Sequence, residues 1–481
     1  MHPRAVASSL GVVVAAGGGM MLIPLLYSLF AADGTTMAFA LPALGAIVLG
    51  AGVFFLTRQR DAYVSAQDVF LVVVLGWIAV ALVGALPFLI SGLMGPMDSF
   101  FEAMAGFTTT GASTVSIPEE VAPSLLLWRS LSQWAGGIGI VVLFVAVGPL
   151  VGFGAAQMYS AEVANPVPER LTPRIRDTAK VLATVYLALT LGGVVALYLA
   201  GLSAFDAVNH ALTTVSTGGF STRSDSIAAF DSWAVELAIV AGMLLSGINF
   251  ALYYQLARRR TSLVFGNPEL RAYLGLVAAG TLVMTAALYA FDYHDSPVQA
   301  FREALFQSVS LLTGTAFGTA DWSAWDPLSQ GLLILFMAIG SCAGSTGGGL
   351  KVIRGMLLLQ HARQQIFHML HPRAVTPLKL RERTVPERLR ATVLGFFFVY
   401  VATLAAGTAI MALHQIPLDA AFGSVFACVN ITGTFLGPAG SAEFYEGLPA
   451  TAKGTLAFFM LLGRLELFTV LVILTPAFWR R

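Results

Sequence analysis

Four short stretches of this chain are polar, uncharged and rich in Thr, Ser and Gly. They are Phe107-Thr108-Thr109-Thr110-Gly111-Ala112-Ser113, Val215-Ser216-Thr217-Gly218-Gly219-Phe220, Leu312-Thr313-Gly314-Thr315-Ala316-Phe317 and Asn430-Ile431-Thr432-Gly433-Thr434-Phe435. None holds a carboxylate, imidazole or thiol, so their chemistry is that of hydroxyls and backbone carbonyls. Each lies between apolar segments that read as membrane spans. At that depth, rings of carbonyls are how proteins replace the hydration shell of a permeating cation, and four copies suit four loops around one axis. The expected cation-binding residues are Thr109, Thr110, Gly111 and Ala112; Ser216, Thr217, Gly218 and Gly219; Gly314, Thr315, Ala316 and Phe317; and Asn430, Ile431, Thr432 and Gly433. Gly111, Gly218, Ala316 and Gly433 are read as the matching central positions.

A second constellation follows the third loop. Gly340-Ser341-Cys342-Ala343 followed by Gly344, Ser345, Thr346, Gly347, Gly348 and Gly349 interrupt an apolar helix, where each glycine costs about 1 kcal/mol against alanine. A nucleotide-binding P-loop is a false match, because Leu350 separates Lys351 from the last glycine and Val352 follows. Irregular backbone at membrane depth must line a cavity, so the stretch reads as a gating loop beneath the polar loops; close helix packing through small residues is the alternative. Arg464 falls about 20 Å into the last long helix at about 1.5 Å per residue. An intramembrane charge is functional by default; the readings left open are a gate, an ion pair with Glu466, or both. Arg129 reads as a structural partner for a short-helix acid, and His210 as a hydrogen-bonded packing residue.

The loops require a framework. After two N-terminal spans, the pattern of helix, short re-entrant helix, polar loop and helix repeats at roughly domain-scale intervals. Outer and inner spans are expected near Asp68–Leu89 and Ser124–Leu150, Lys180–Ala200 and Trp233–Leu256, Glu269–Phe291 and Leu328–Leu359, and Ala391–Leu413 and Ala452–Phe478. The segments are residues 1–60 for the N-terminal pair, then 61–160, 161–262, 263–372 and 373–481 for the four units. The apolar stretch before each loop is about 10 residues, too short to cross a bilayer. Each is expected to begin with an acid, Asp98, Asp206, Glu303 or Asp419, either capping the helix or meeting the ion. In both cases the negative helix ends face the loops and favour a cation. The fold class is thus an all-α membrane protein with about ten spans: four helix–pore-helix–helix repeats around a central pore, plus the N-terminal pair.

Composition agrees. Of 481 residues, 57% are hydrophobic and 11% charged, with mean hydropathy +0.78, far from the soluble globular range. A net charge of +1 gives no nucleic-acid surface. Cys342 and Cys428 are the only cysteines, which excludes a disulfide framework or metal cluster. An enzyme would need a buried nucleophile, an intramembrane acid pair or a His/Cys cluster, and the sequence offers none. The N-terminal apolar run, Leu10 to Phe30, exceeds a signal-peptide core of about 7–15 residues and matches the ~20 needed to span. Of 27 Lys and Arg, only Arg129, Arg223, Arg302, Lys453 and Arg464 fall in inner helices or on the loop side. Arg58/Arg60, Arg170 to Lys180, Arg258-Arg259-Arg260, Lys351 to Arg390 and Arg480-Arg481 mark the opposite side as cytoplasmic, with both termini. Acids such as Asp33, Glu119, Glu120, Asp225, Asp295, Asp321 and Glu446 make an outer mouth that concentrates cations.

Four strings carry a resemblance: Trp128-Arg129-Ser130-Leu131 through Trp134-Ala135-Gly136-Gly137-Ile138-Gly139, Ser246-Gly247-Ile248-Asn249-Phe250, Gly344-Ser345-Thr346-Gly347-Gly348-Gly349 and Gly463-Arg464-Leu465-Glu466. Together the chain resembles, over essentially its whole length, the membrane subunit of bacterial Trk-type potassium uptake systems in the Trk/Ktr/HKT superfamily. The resemblance implies potassium as the transported ion, uptake across the inner membrane, a selectivity filter in the four loops, a homodimer among membrane lipids, and a cytosolic regulatory subunit with nucleotide-binding Rossmann-type domains on the cytoplasmic face. A less selective potassium/sodium pathway or an ion-coupled symporter is the alternative. In that family glycine is usual at the central filter position, and Ala316 departs from it.

Overall fold

The computed structural model describes residues 1–58, 65–151, 175–374, 379–380, 383–437 and 439–480. Arg60, Arg170 and the basic stretch up to residue 174, Arg381 and Arg481 therefore lie outside the described residues. The described chain is almost wholly helical; its only strands are a two-residue pair, Lys379–Leu380 with Arg383–Thr384.

Among the described residues, six helices are long and apolar enough to cross a membrane, and eight if each of two bent pairs counts as one span. The N-terminal run forms Pro3–Met20 and Leu22–Ala31, followed by Thr36–Thr57. The first and third of these pack so closely that a Cβ on Gly50 would lie 2.5 Å from the Gly11 carbonyl oxygen, the small-residue contact that brings helices together without a hydrophobic drive.

Four units follow. Their outer helices are Ala66–Ile90, Ile175–Leu199, Pro268–Ala290 and Glu387–Leu413. The short helices are Pro96–Phe107, Ala204–Val215, Pro297–Thr313 and Leu418–Asn430. The starts of both kinds of helix follow from local chemistry: Ser203, Asn267 and Ser296 cap through side-chain oxygens, and Pro stands in the first turn at Pro96, Pro268 and Pro297, where its missing N–H costs nothing. Ser65 and Asp68 form a reciprocal capping box on the first outer helix.

The inner helices depart from simple spans. The first, Pro123–Val151, is continuous. The second breaks into Trp233–Ser246 and Phe250–Ala257 with a 91° bend, and the fourth into Ala450–Arg464 and Phe468–Leu474 with a 117° bend. The third stops at Ile339 and resumes at Val352. The single inner spans expected for units two and four are corrected: Asn249, at ψ 119°, leaves the helical region and caps a new helix by accepting from the Ala251 N–H, and Glu466 and Leu467 both adopt positive φ, 58° and 44°.

Each inner helix packs on the short helix of the next unit: first on second, second on third, third on fourth, and fourth on first. This closes the four units into a ring.

Candidate functional site

The four polar loops share one backbone. In each, two left-handed residues flank one that is not: Thr109 and Gly111, Thr217 and Gly219, Gly314 and Ala316, Ile431 and Gly433, with φ between 54° and 79°. The intervening residue closes the preceding helix through its N–H in every unit: Thr110 to the Ala105 carbonyl at 2.9 Å, Gly218 to Thr213 at 2.9 Å, Thr315 to Ser310 at 3.0 Å and Thr432 to Ala427 at 2.9 Å. The match of Gly218 with Gly111 is corrected by one residue. Gly219 is the equivalent of Gly111, Ala316 and Gly433, while Gly218 aligns with the three threonines. Sequence inspection could not choose between adjacent glycines; the helix-closing hydrogen bond does.

Four of the eight left-handed positions hold a side chain, three of them β-branched. Each costs about 1–2 kcal/mol, and such backbone persists only where its surroundings overdetermine it. Those surroundings are present. The Trp77 indole donates to the Phe107 carbonyl at 3.0 Å, the Ser310 hydroxyl to the Phe317 carbonyl at 2.7 Å, and the Tyr445 hydroxyl to the Gly433 carbonyl at 3.1 Å. The Tyr400 hydroxyl reaches Asn430 Oδ1 at 2.9 Å. Thr108, Thr109, Thr110, Ser216, Thr217, Thr313, Thr315 and Thr432 are all buried.

The loops touch one another in ring order. A Cβ on Gly111 would lie 2.2 Å from the Gly218 carbonyl oxygen, one on Gly219 would lie 1.9 Å from that of Thr315, and one on Gly433 would lie 2.4 Å from that of Thr110. These close approaches need glycine twice over, for φ and for space. Ala316 stands at the fourth such position with its Cβ in place and φ 57°, a left-handed backbone that costs an alanine about 1–2 kcal/mol.

Outside the loops, ion pairs staple the ring. Buried Arg129 donates to Glu102 at 2.7 Å and packs its guanidinium over Phe220; Glu102 in turn accepts from the Thr114 N–H at 2.9 Å. Arg302 pairs with Glu236 at 2.7 Å, and Lys453 pairs with Asp98. Asp98, Asp206 and Asp419 stand in the first turns of their short helices. Glu303 does not: that helix starts at Pro297 under Ser296, and Glu303 lies within it, 3.0 Å from His294. His210 bridges the Asp206 carbonyl and the Ser221 hydroxyl.

Below the loops, the break in the third inner helix is held on several sides. The Cys342 N–H donates to the Gly247 carbonyl at 3.1 Å and the Phe250 N–H to the Gly344 carbonyl at 3.1 Å, so the break in the second inner helix grips it. The Glu269 carboxylate accepts from the Ala343 N–H at 2.6 Å. A Cβ on Gly347 would lie 2.4 Å from the Thr313 carbonyl oxygen, and one on Gly348 would lie 2.2 Å from that of Asn430. The segment therefore lies against the ends of the third and fourth short helices. Gly344 and Gly349 are glycine for another reason, their φ of 74° and 79°.

Arg464 is 3% exposed. Its Nη1 donates to the Thr346 carbonyl at 2.7 Å and its Nη2 to the Gly136 carbonyl at 2.9 Å, tying the segment to the first inner helix. The ion pair weighed for it is not formed, because Glu466 pairs with Arg354. Lys351, φ 77°, donates through Nζ to the Gly347 carbonyl. A cavity of about 20 Å³, room for about one water, is lined by Gly344, Ser345, Gly347, Gly348, Gly349, Lys351, Ile431, Gly463, Arg464, Glu466 and Ile140. Two cations and a carboxylate thus share a space directly beneath the fourth loop.

Residues 35–480 match the family described as "TrkH: Cation transport protein". The chain belongs to that family. This TrkH-family chain is 37% identical to "Trk system potassium uptake protein TrkH" of Salmonella typhimurium over the full length of both, and 38% identical to the protein of the same name from Halomonas elongata, again over both full lengths. It is 33% identical to "Trk system potassium uptake protein TrkG" of Escherichia coli, covering 100% of this chain and 99% of the relative. Its structure is similar to the "Crystal Structure of the Potassium Transporter TrkH from Vibrio parahaemolyticus", with TM-score 0.92, 35% identity and full coverage of both chains. These relatives are named as transporters, not enzymes.

In the TrkH-family chain the sequence reading missed Lys351, Glu269 and Gln133. Lys351 carried a signal, a cation two residues past a glycine run inside a span. Glu269 and Gln133 carried none, since a first-turn acid and a lone amide look ordinary until folding brings them to a loop.

Proposed function

We propose that this chain passes potassium ions into a bacterial cell across the cytoplasmic membrane, along the axis enclosed by its four polar loops. One observation carries the reading: four buried, uncharged loops repeat the same pair of left-handed residues and meet in a closed ring. Alternating backbone of this kind is suited to presenting successive carbonyls to a dehydrated cation. The potassium named in the relatives' titles supplies the ion. The 344–349 segment and Arg464 act as the gate, a loop beneath the filter tied by a fixed positive charge. The five segments divided at residues 60, 160, 262 and 372 serve as the N-terminal pair and four filter-bearing units.

The remainder rests on the family resemblance and the charge pattern. The chain works as a homodimer with a cytosolic nucleotide-binding subunit docked on the basic face that includes Arg258, Arg259 and Arg373, and both termini are cytoplasmic. The test is flux through the purified, reconstituted protein with potassium, rubidium and sodium, with and without a membrane potential. Potassium and rubidium are expected to pass in preference to sodium, driven by voltage. An absolute requirement for a proton gradient would overturn this reading and establish symport. The Cβ of Ala316 favours a second, narrower reading in which sodium is excluded less strictly.

A further inference from the structure

Three of the four loops place threonine between their left-handed residues, Thr110, Thr315 and Thr432; the second places Gly218. Backbone conformation does not demand this glycine, for its φ is not positive. Space does. A Cβ at Gly218 would lie 2.3 Å from Gln133 Cδ and 2.4 Å from Oε1.

Gln133 comes from the first inner helix and is fully buried. Its Nε2 donates to the Gly218 carbonyl at 2.7 Å, and its Oε1 accepts from the Phe220 N–H at 3.1 Å. In the other loops the volume holds a threonine side chain bonded within its own unit: Thr110 to Thr108 at 2.7 Å, Thr315 to Thr313 at 2.8 Å, and Thr432 to the Ala427 carbonyl at 3.3 Å. The second loop is therefore braced from outside its unit, by an amide seated between the first and second loops.

We infer that Gln133 is a specificity-determining residue that replaces the missing threonine of the second loop and fixes the carbonyl of Gly218. The inference rests on the filter reading above. A carboxamide satisfies a carbonyl and an N–H together, whereas a thioether or alkyl group satisfies neither. Loss of both bonds frees the loop to adapt to a smaller ion.

The experiment measures potassium-to-sodium flux ratios of the full-length reconstituted protein for Gln133→Met, Gln133→Ala, Gly218→Thr and the pair Gln133→Ala/Gly218→Thr, with Gly111→Ser as a filter control. Elution volume and melting temperature are read alongside. Gln133→Met keeps the volume and removes both hydrogen bonds; its ratio is expected to fall about tenfold. Gly218→Thr alone is expected to fall as far or to unfold, and the pair to recover to within about threefold of the parent, because the threonine then occupies the vacated space. A pair no better than its single members, or recovery of melting temperature without the ratio, overturns the inference. So does an unchanged ratio in Gln133→Met while Gly111→Ser loses selectivity, which leaves the filter reading intact. If Gly111→Ser also leaves the ratio unchanged, the filter reading and this inference both fail.

Discussion

Replacing Arg464 by alanine removes the link between the 344–349 segment and the fourth inner helix. Its Nη1 bond to the Thr346 carbonyl at 2.7 Å is the direct tie, and its Nη2 bond to Gly136 at 2.9 Å anchors the guanidinium that makes it. A hydrogen bond from a charged donor is worth about 1.5–3 kcal/mol, so losing the Thr346 bond alone shifts the segment toward release by about tenfold to a hundredfold. The charge acts in the same direction: at about 5 Å and an effective dielectric near 20, it repels a monovalent cation by roughly 3 kcal/mol. Rubidium uptake into proteoliposomes lacking any cytosolic partner is therefore expected to rise at least tenfold in Arg464→Ala. Arg464→Lys keeps the charge but lacks the fork that reaches two carbonyls at once, and its uptake should lie between those of Arg464→Ala and the parent. Uptake that falls in Arg464→Ala, with elution and melting like the parent's, would refute the reasoning: the guanidinium would then maintain the conducting shape rather than oppose it.

Ala316→Gly removes a Cβ from a residue at φ 57° and is expected to relieve about 1–2 kcal/mol of strain, raising the melting temperature and sharpening potassium-over-sodium discrimination; an unchanged flux ratio would show that the third loop tolerates its Cβ. Cysteines introduced at exposed Glu119 and Asp295 should react with an impermeant thiol reagent from outside, and one at exposed Arg373 only from inside; reversed labelling would invert the topology. Asp33 offers a pH test. Burial opposes its ionisation, but hydrogen bonds from the Ser28, Ser124 and Thr35 side chains and the Ser124 N–H bring its pKa from 3.8 down to about 2. A depressed carboxylate adds stability that is fully present above about pH 4 and lost as pH falls toward 2. Melting of the solubilised protein should drop across that window, and Asp33→Asn should flatten the drop while lowering stability at neutral pH.

Asp33 also shows what position along the chain conceals. In the sequence it was one acid of an outer mouth; in the fold it caps the first inner helix from another element, accepting from the Ser124 N–H at 3.0 Å. Glu102, Asp206 and Glu236 are likewise engaged in pairs, whereas Glu119, Glu120, Asp225 and Asp295 stay exposed as an outer mouth requires.

The class of fold and the location of the four loops were legible in the chain, because bilayer thickness dictates span length and apolar runs report it directly. So was the break after Ile339, since a run of glycines inside a span cannot pass for helix. The limit shows at Glu303: the residue could be named from the chain, but its place within the short helix depended on Ser296 capping the helix earlier. The register of the second loop, the partners of Arg464 and Glu466, and the contacts of Lys351 and Gln133 emerge only in the folded chain. The register of the second loop and the Lys351 contact rest on hydrogen bonds within one unit, whereas the partners of Arg464 and Glu466 and the seat of Gln133 depend on contacts between units distant in the chain, such as Gln133 with Gly218 or Arg464 with Gly136. Periodicity and composition describe each segment against the membrane, whereas such contacts are set by how the four units close on one another.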